Sequence, residues 1–553
     1  MVLLLTSILG PKTRRAIVLA VLPIFLVLVL LFQFASPRDF VERHIPDAPS
    51  WSLGFRPKEG NAHGPLPLPN DYDPEETESA FCLDRFSPKY LTNLRDTSVQ
   101  YCSAPSSSDL TCFHSQVSGD EKRDSLCIGN GAVLESGRFA LNCQIRQPDA
   151  NETARGIIPF DRIRQYWYDT GPRYIFDHYV DIKTTTDSET VPVATGNHAT
   201  QKRTDDSPRQ FTLLLKREGE ANPWHCLMEI WSMAMTFDVL RMARDDADQP
   251  FYRVPEDVPN TQVIILDNRS DGPYWHLWKL FSGREPIRLA EIQEHPDTER
   301  LLTGAEQRII VPLAGAANPF WQNDWEVRDC TQSALLRVFA RRVFRHYNIT
   351  PPPKKETNPA ALRVTFLDRS GASSRNLRGQ QSLLESLKRK FEGIEVTAVD
   401  FAAIPFEEQL RIIQRTDVLV GVHGAGLTHT MFLRDGVTAV VEIQPRDMPS
   451  PYMGFRNMAN MKGISYFRAH ADPISVDPAG RDQVGTGAKK LKRGMDTGGA
   501  ASLDAVEDDI YPLEKRASWH GEDFYMTEDS FVEVVGAAIN SVYNKNMREH
   551  DAT

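Results

Sequence analysis

The carboxyl-terminal half of the chain predicts an α/β fold with a doubly wound parallel sheet, on three observations. Apolar runs of strand length alternate with helical stretches of about ten residues, the mark of βαβ units. The run Asp417 to Val422 is Val/Leu-rich and followed by small residues, as in a strand buried on both faces. Gly421, Gly424 and Gly426 then form a turn into a further helical stretch, with a spacing unlike the G-x-G-x-x-G of dinucleotide-binding folds.

In chain order, LRVTFLDRS (362–370) reads as the first strand of this half and Gln380 to Phe391 as a helix. IEVTAVDF (394–401) gives a second strand, Pro405 to Arg415 a second helix, and Asp417 to Val422 the third strand. A helix is expected to begin near Leu427, and TAVVEI (438–443) to make a fourth strand. Ligands of such sheets sit beyond the carboxyl ends of the strands, which brings Asp368, Arg369, His423 and Glu442 to one rim.

The glycine turn suits an anion. Gly424 and Gly426, on either side of Ala425, lack the Cβ atoms that keep a ligand from the backbone, and a helix starting at Leu427 offers free N–H groups and its positive dipole end. A diphosphate fits there. Arg369 and Arg375, on the loop leaving the first strand, are suited to diphosphate through paired guanidinium hydrogen bonds, or are surface arginines. His423 donates to a phosphate oxygen or is a satisfied structural histidine. Glu442 binds ribose hydroxyls or ends its strand in solvent, and Tyr466 stacks on a base or packs in the core.

The rest of the chain sets an address. Residues 1–15 read as a cytoplasmic tail and 16–35, AIVLAVLPIFLVLVLLFQFA, as a single transmembrane signal anchor, uncharged and long enough to span a bilayer. Lys12, Arg14 and Arg15 before it give the type II orientation; a cleaved signal peptide is the alternative. Either sends the remainder into the lumen of the secretory pathway, Golgi or endoplasmic reticulum. Sequons at Asn151, Asn268 and Asn348 agree with that address.

Residues 36–80, rich in Pro, Asp, Glu and Gly, read as an extended stem. An amino-terminal lobe follows at 81–350, PPPKKETNP (351–359) reads as the linker, and the carboxyl-terminal lobe (351–550) carries an insertion at about 472–518. With 553 residues, 41% of them hydrophobic, the chain is long enough for roughly three or four domains with ordinary cores. A net charge of −11 argues against a nucleic-acid binder, so any phosphate must be met by local positive charge. Five cysteines (82, 102, 112, 127 and 143) cluster, while Cys226 and Cys330 stand apart. Without C-x-x-C pairs or finger-spaced histidines, disulfides are favoured over metal, and the odd thiol is assigned to Cys226 in an apolar helix.

That helix is the second informative constellation. Asn222 before Pro223 is a good helix start, and His225 and Glu229 fall one turn apart on one face. The residues alone fit a cap and a local hydrogen bond as well as a cleft-facing site.

LDRSGASSR, GVHGAGLTHTMFL and VVEIQP, together with NPWHCLME (222–229) and WHGEDFYM (519–526), resemble glycosyltransferase family 61 over residues 205 to 540, in the family's order. The family includes animal GlcNAc transferases and plant xylan glycosyltransferases. The resemblance implies a GT-B-like architecture of two Rossmann-like lobes with an interlobe cleft, an inverting mechanism and a UDP-sugar donor. It makes UDP-GlcNAc the first donor expected and UDP-xylose the next, with a protein or glycan hydroxyl as acceptor. Asn222, His225 and Glu229 match the family's N-x-x-H-x-x-x-E pattern, which favours the catalytic reading. Glu229, His225 and Asp267 are then the candidate bases, the first two leading. Asp246-Ala-Asp248 has the form of a manganese-binding pair but lies in the acidic loop ARDDADQP, so transfer is expected to need no metal. The alternative is a lumenal nucleotide-sugar or glycan-binding protein without turnover.

Overall fold

The computed structural model describes most of residues 65–184, 209–352, 362–474 and 522–552. The tail, the anchor at 16–35, most of the stem and linker, and the insertion lie outside the described residues. Among the described residues no helix is long and apolar enough to cross a membrane.

The carboxyl-terminal sheet follows the sequence expectation closely. Strands β12 (Arg363–Leu367), β13 (Glu395–Val399), β14 (Val418–Val422), β15 (Ala439–Pro445) and β16 (Ser465–Pro473) pair in parallel in the order β13-β12-β14-β15-β16. Short β17 (Phe524–Tyr525) and β18 (Glu549–Ala552) both add to β16. Every residue of β14 is buried, as a strand covered on both faces must be. Val418, Val420 and Val422 share a core with Phe531, Val534 and Val535 of the helix Glu528–Tyr543. The order reverses between β12 and β14. In open α/β sheets ligands bind at such a switch point, beyond the strand ends.

One element differs from expectation. The stretch after the glycine turn is a 3₁₀ helix, Ala425–Phe432, rather than an α-helix from Leu427. Its tighter winding follows the buried, largely apolar sequence LTHTMF, which is held from all sides by tertiary packing.

The amino-terminal sheet departs further, being mixed where two Rossmann-like lobes imply a parallel one. Its order is β1 (Ser98–Gln100), β3 (Asp109–His114), β4 (Ser125–Glu135), β11 (Gln307–Val311), β8 (Phe211–Leu215), β9 (Thr261–Ile265) and β10 (Ile287–Arg288), with β5 (Arg138–Asn142) on β4 and β7 (Val180–Lys183) on β5. From β11 to β10 the pairing is parallel, whereas β1, β3 and β4 pair antiparallel and β4 meets β11 antiparallel. The antiparallel half is the cysteine-bearing one. Cys112 and Cys127 face each other in the β3–β4 register and are bonded, and Cys102 is bonded to Cys143. Cys82 reaches Cys330, and Cys226 is the free, buried thiol.

The helix Pro223–Met242 is buried on every side, as an apolar helix at the centre of a protein should be. It packs against the Ala425–Phe432 turn of the other lobe. The lobes are also joined through the helix Gly454–Met461, whose Met453 N-cap amide donates to Asp324 O (2.6 Å). Asn457 accepts from Arg328 N (2.9 Å) and donates to Glu326 O (2.8 Å), and Asn460 donates to Cys330 O (3.0 Å).

The stem is shorter than expected, because residues 65–72 dock on the core. Arg342, on the helix Ala334–His346, donates to both carboxylate oxygens of Asp71 (2.8 and 2.9 Å) and to Asp238 (2.7 Å), which also accepts from Tyr72 (2.7 Å). Two carboxylates compensate one buried guanidinium, so the segment is pinned by charge that no sequence period displays. The sequons Asn151, Asn268 and Asn348 are all exposed. Replacing Asp71 with Ala is expected to destabilise the fold by about 3–5 kcal/mol, since it leaves a buried charge partly unpaired. Urea denaturation of the two proteins measures it.

Candidate active site

Two loops meet at the switch point. The first leaves β12 and carries Asp368, Arg369 and Arg375; the second leaves β14 and carries His423 and Gly424. Asp368 shapes its own turn, accepting from Ser370 N (2.8 Å), and this bond holds its carboxyl below the usual range against the opposing effect of burial. Arg375 adopts φ 61°, a left-handed conformation, and its amide donates to Glu522 O (2.8 Å). Asn376 beside it is held by Asp523 Oδ1 (3.0 Å). Residues 522–524 thus fasten the arginine loop.

Both guanidinium groups converge on Gly424. A Cβ built there would meet Arg375 Nη1 at 3.3 Å and Arg369 Nη1 at 3.4 Å, so glycine is what permits their approach to the backbone. Arg375 Nη1 also donates to His423 O (3.4 Å). Burial lowers both arginines' tendency to hold a proton, and for Arg375, pushed down to about 10, the charge of Arg369 adds to it. The amides of Ala425 and Gly426 open the 3₁₀ helix ahead of its first bond, Leu427 N–H to Gly424 O (3.0 Å). Leu427's own amide is therefore engaged, contrary to the sequence expectation. Two like charges and two helix-opening amides at one point form an arrangement that suits an anion.

Glu442 and Tyr466 lie behind it. The sequence reading leaves Tyr466 between the base and the core, and the core is where it lies; Glu442 it leaves between the ribose and solvent. Instead Glu442 is 0% exposed and its carboxylate accepts from Tyr466 Oη (2.6 Å) and Gln444 Nε2 (3.2 Å) and meets His423 Nδ1. The cause is register: Glu442 pairs with Gly421 inside the sheet and not beyond its end. Glu442 orients His423, whose ring stacks on half-exposed Tyr452 at 5.3 Å.

Across the lobe junction stands the second constellation. Asn222 caps the Pro223–Met242 helix, accepting from Trp224 N (3.0 Å). Asp267 is withdrawn from the list of bases: Arg217 grips both its oxygens (2.7 and 3.1 Å), which keeps the carboxyl below its ordinary range although burial opposes this. Glu229 is 2% exposed, and a Cβ on Gly315 would come within 2.6 Å of its Cγ. Burial, then the charge of Glu218, pushes the Glu229 carboxyl well above its usual range, so it is a neutral acid with no path to an acceptor. His225 reaches the surface, its side chain 22% exposed, with Nδ1 3.3 Å from Glu218 Oε1. Glu218 was missed by sequence reading because it lies on an irregular loop before the helix.

Rings connect the two halves. His225 meets Trp321 at 4.7 Å, Trp321 meets Trp224 at 6.5 Å, Trp224 meets Phe455 at 5.3 Å and Phe455 meets His423 at 5.7 Å. The expected histidines of separate lobes are thereby brought to one aromatic-lined junction. Asp324 sits there too, its carboxyl raised to about 7 by burial.

Residues 224–441 match the family profile Glycosyltransferase 61. The match covers less than half of the chain. Its similar proteins include the EGF domain-specific O-linked N-acetylglucosamine transferases of Canis lupus familiaris (34% identical over 210 residues, 37% of each chain) and Drosophila melanogaster (26% over 209 residues, 37% of each). The protein of that name from Rattus norvegicus is 35% identical over 222 residues, 39% of each chain. The chain thus spans between a third and two fifths of the length of these relatives. Within the matched stretch fall His225, Arg369, Arg375, His423 and Gly424; Glu218 and Glu442 lie just outside its bounds.

Each arginine is expected to contribute about 1.5–3 kcal/mol to an oxyanion ligand, so Arg369→Ala and Arg375→Ala each weaken UDP binding roughly 10- to 100-fold. Titration calorimetry with UDP measures this; unchanged affinity in both variants places the ligand elsewhere.

Proposed function

We propose that the protein is an inverting glycosyltransferase of GT-B type that moves a sugar from a UDP-sugar to a hydroxyl of a protein or glycan acceptor in the secretory lumen. The observation that carries this is the convergence of Arg369 and Arg375 on Gly424 at the sheet's switch point. Displacing UDP from an anomeric carbon develops negative charge on the diphosphate, and two poorly solvated guanidinium groups answer that charge without reorganising. His225, across the ring-lined junction, takes the acceptor's proton. Nothing else at the surface of that helix's first turn offers a basic nitrogen.

GlcNAc is the favoured sugar, in line with what the similar proteins are named for, and xylose is next. The charge supplied by the arginines makes a divalent metal unnecessary for leaving-group departure. Three disulfides suit an oxidising lumen. The apolar segment 16–35 behind Lys12, Arg14 and Arg15 is the membrane anchor of a type II protein of the Golgi or endoplasmic reticulum.

The test is UDP release by the full-length protein from a panel of UDP-sugars, with and without EDTA. Release is expected from UDP-GlcNAc, to persist in EDTA, and to fall about 100-fold in kcat/KM in Arg369→Ala. Saturable UDP binding with no turnover on any acceptor makes the protein a binding module. Loss in EDTA restored by manganese overturns the metal-free mechanism.

A further inference from the structure

Glu218, His225 and Glu229 meet where the loop after β8 enters the Pro223–Met242 helix. Glu229 Oε1 accepts the backbone N–H of Glu218, which locks the loop onto the helix. The Glu218 side chain is 1% exposed and points its Oε1 at His225 Nδ1 from 3.3 Å. Glu218 is the carboxyl that faces the imidazole, and its charge is one of the causes that raise its neighbour Glu229. Glu229 is the one held neutral by burial. Its Oε2, buried and without a partner among the described residues, is free to hold the proton.

The imidazole is also fixed laterally. Trp321 lies edge-on at 4.7 Å and Tyr168, half exposed, edge-on at 6.0 Å. Tyr168 is in a loop where Tyr166, Tyr168 and Asp169 all have positive φ (61°, 59° and 57°), a conformation that persists only when the surroundings impose it. A carboxylate on Nδ1 selects the tautomer with its proton there and leaves the Nε2 lone pair available.

Resting on the transferase reading above, we infer that Glu218 is a positioning residue, whose carboxylate fixes the His225 tautomer and opposes the imidazolium formed during transfer. In that step the acceptor hydroxyl gives its proton to Nε2 while its oxygen bonds to the anomeric carbon. The bond from that carbon to the diphosphate oxygen breaks, and its electron pair leaves with UDP. Glu218 itself touches no reacting atom.

The experiment compares the full-length wild type with Glu218→Gln, Glu218→Asp, His225→Ala and the Glu218→Gln/His225→Ala double variant. Glu218→Gln is expected to lower kcat by about 100-fold or more, with donor KM and UDP affinity within about twofold of wild type. Glu218→Asp regains at least about tenfold of that loss, and the double variant is no slower than His225→Ala, because the two residues act as one unit. The inference is overturned by Glu218→Gln activity within about threefold of wild type, by additive losses in the double variant, or by lost UDP affinity in both Glu218 variants, which marks a merely structural residue. If the wild type transfers sugar, these outcomes judge Glu218 alone. A wild type that binds UDP without transferring any sugar instead removes the transferase reading and this inference with it.

Discussion

Two guanidinium groups held side by side over one glycine are the constraint to which this molecule is built. Arg369 and Arg375 stand side by side there, and burial makes holding both charges costly. A folded protein retains such an arrangement when an anion repays it. β12 and β14 pair in parallel, with β14 buried along its whole length, and this fixes where the two loops leave the sheet.

From that point the rest of the architecture follows. The apolar Pro223–Met242 helix packs on the Ala425–Phe432 turn, and a chain of ring contacts runs from its His225 to His423. Aromatic rings fill the space between the two histidines, so water has little room where charge is to develop. The amide side chains of Asn457 and Asn460 fasten the junction and set the distance between lobes. Among the carboxyl groups near this junction, Glu442 has Tyr466 as a partner, Asp267 has Arg217, and burial raises Glu229.

Periodicity explains what could be read beforehand. Val418 to Val422, Ala439 to Ile443 and Arg363 to Leu367 are short runs rich in apolar and β-branched residues, so their strands, the parallel order and the loops bearing Arg369 and His423 were legible. Where the strand ends was not: β15 continues through Ile443, Gln444 and Pro445, which makes Glu442 a buried support for His423 and not a strand-end ribose ligand. Partnerships across long sequence distances were equally hidden. Asp71 and Arg342 are 271 residues apart, and their pairing turns supposed stem into core. Glu218 lies in a loop without period, and its relation to His225 arises from a chain reversal that local composition does not encode.

The loop bearing Arg375 is fastened from far along the chain, by Glu522 O and the Asp523 carboxylate. A polypeptide terminated before residue 522 loses these fastenings together with β17, β18 and the helix Glu528–Tyr543, whose Phe531, Val534 and Val535 complete the core beside β14.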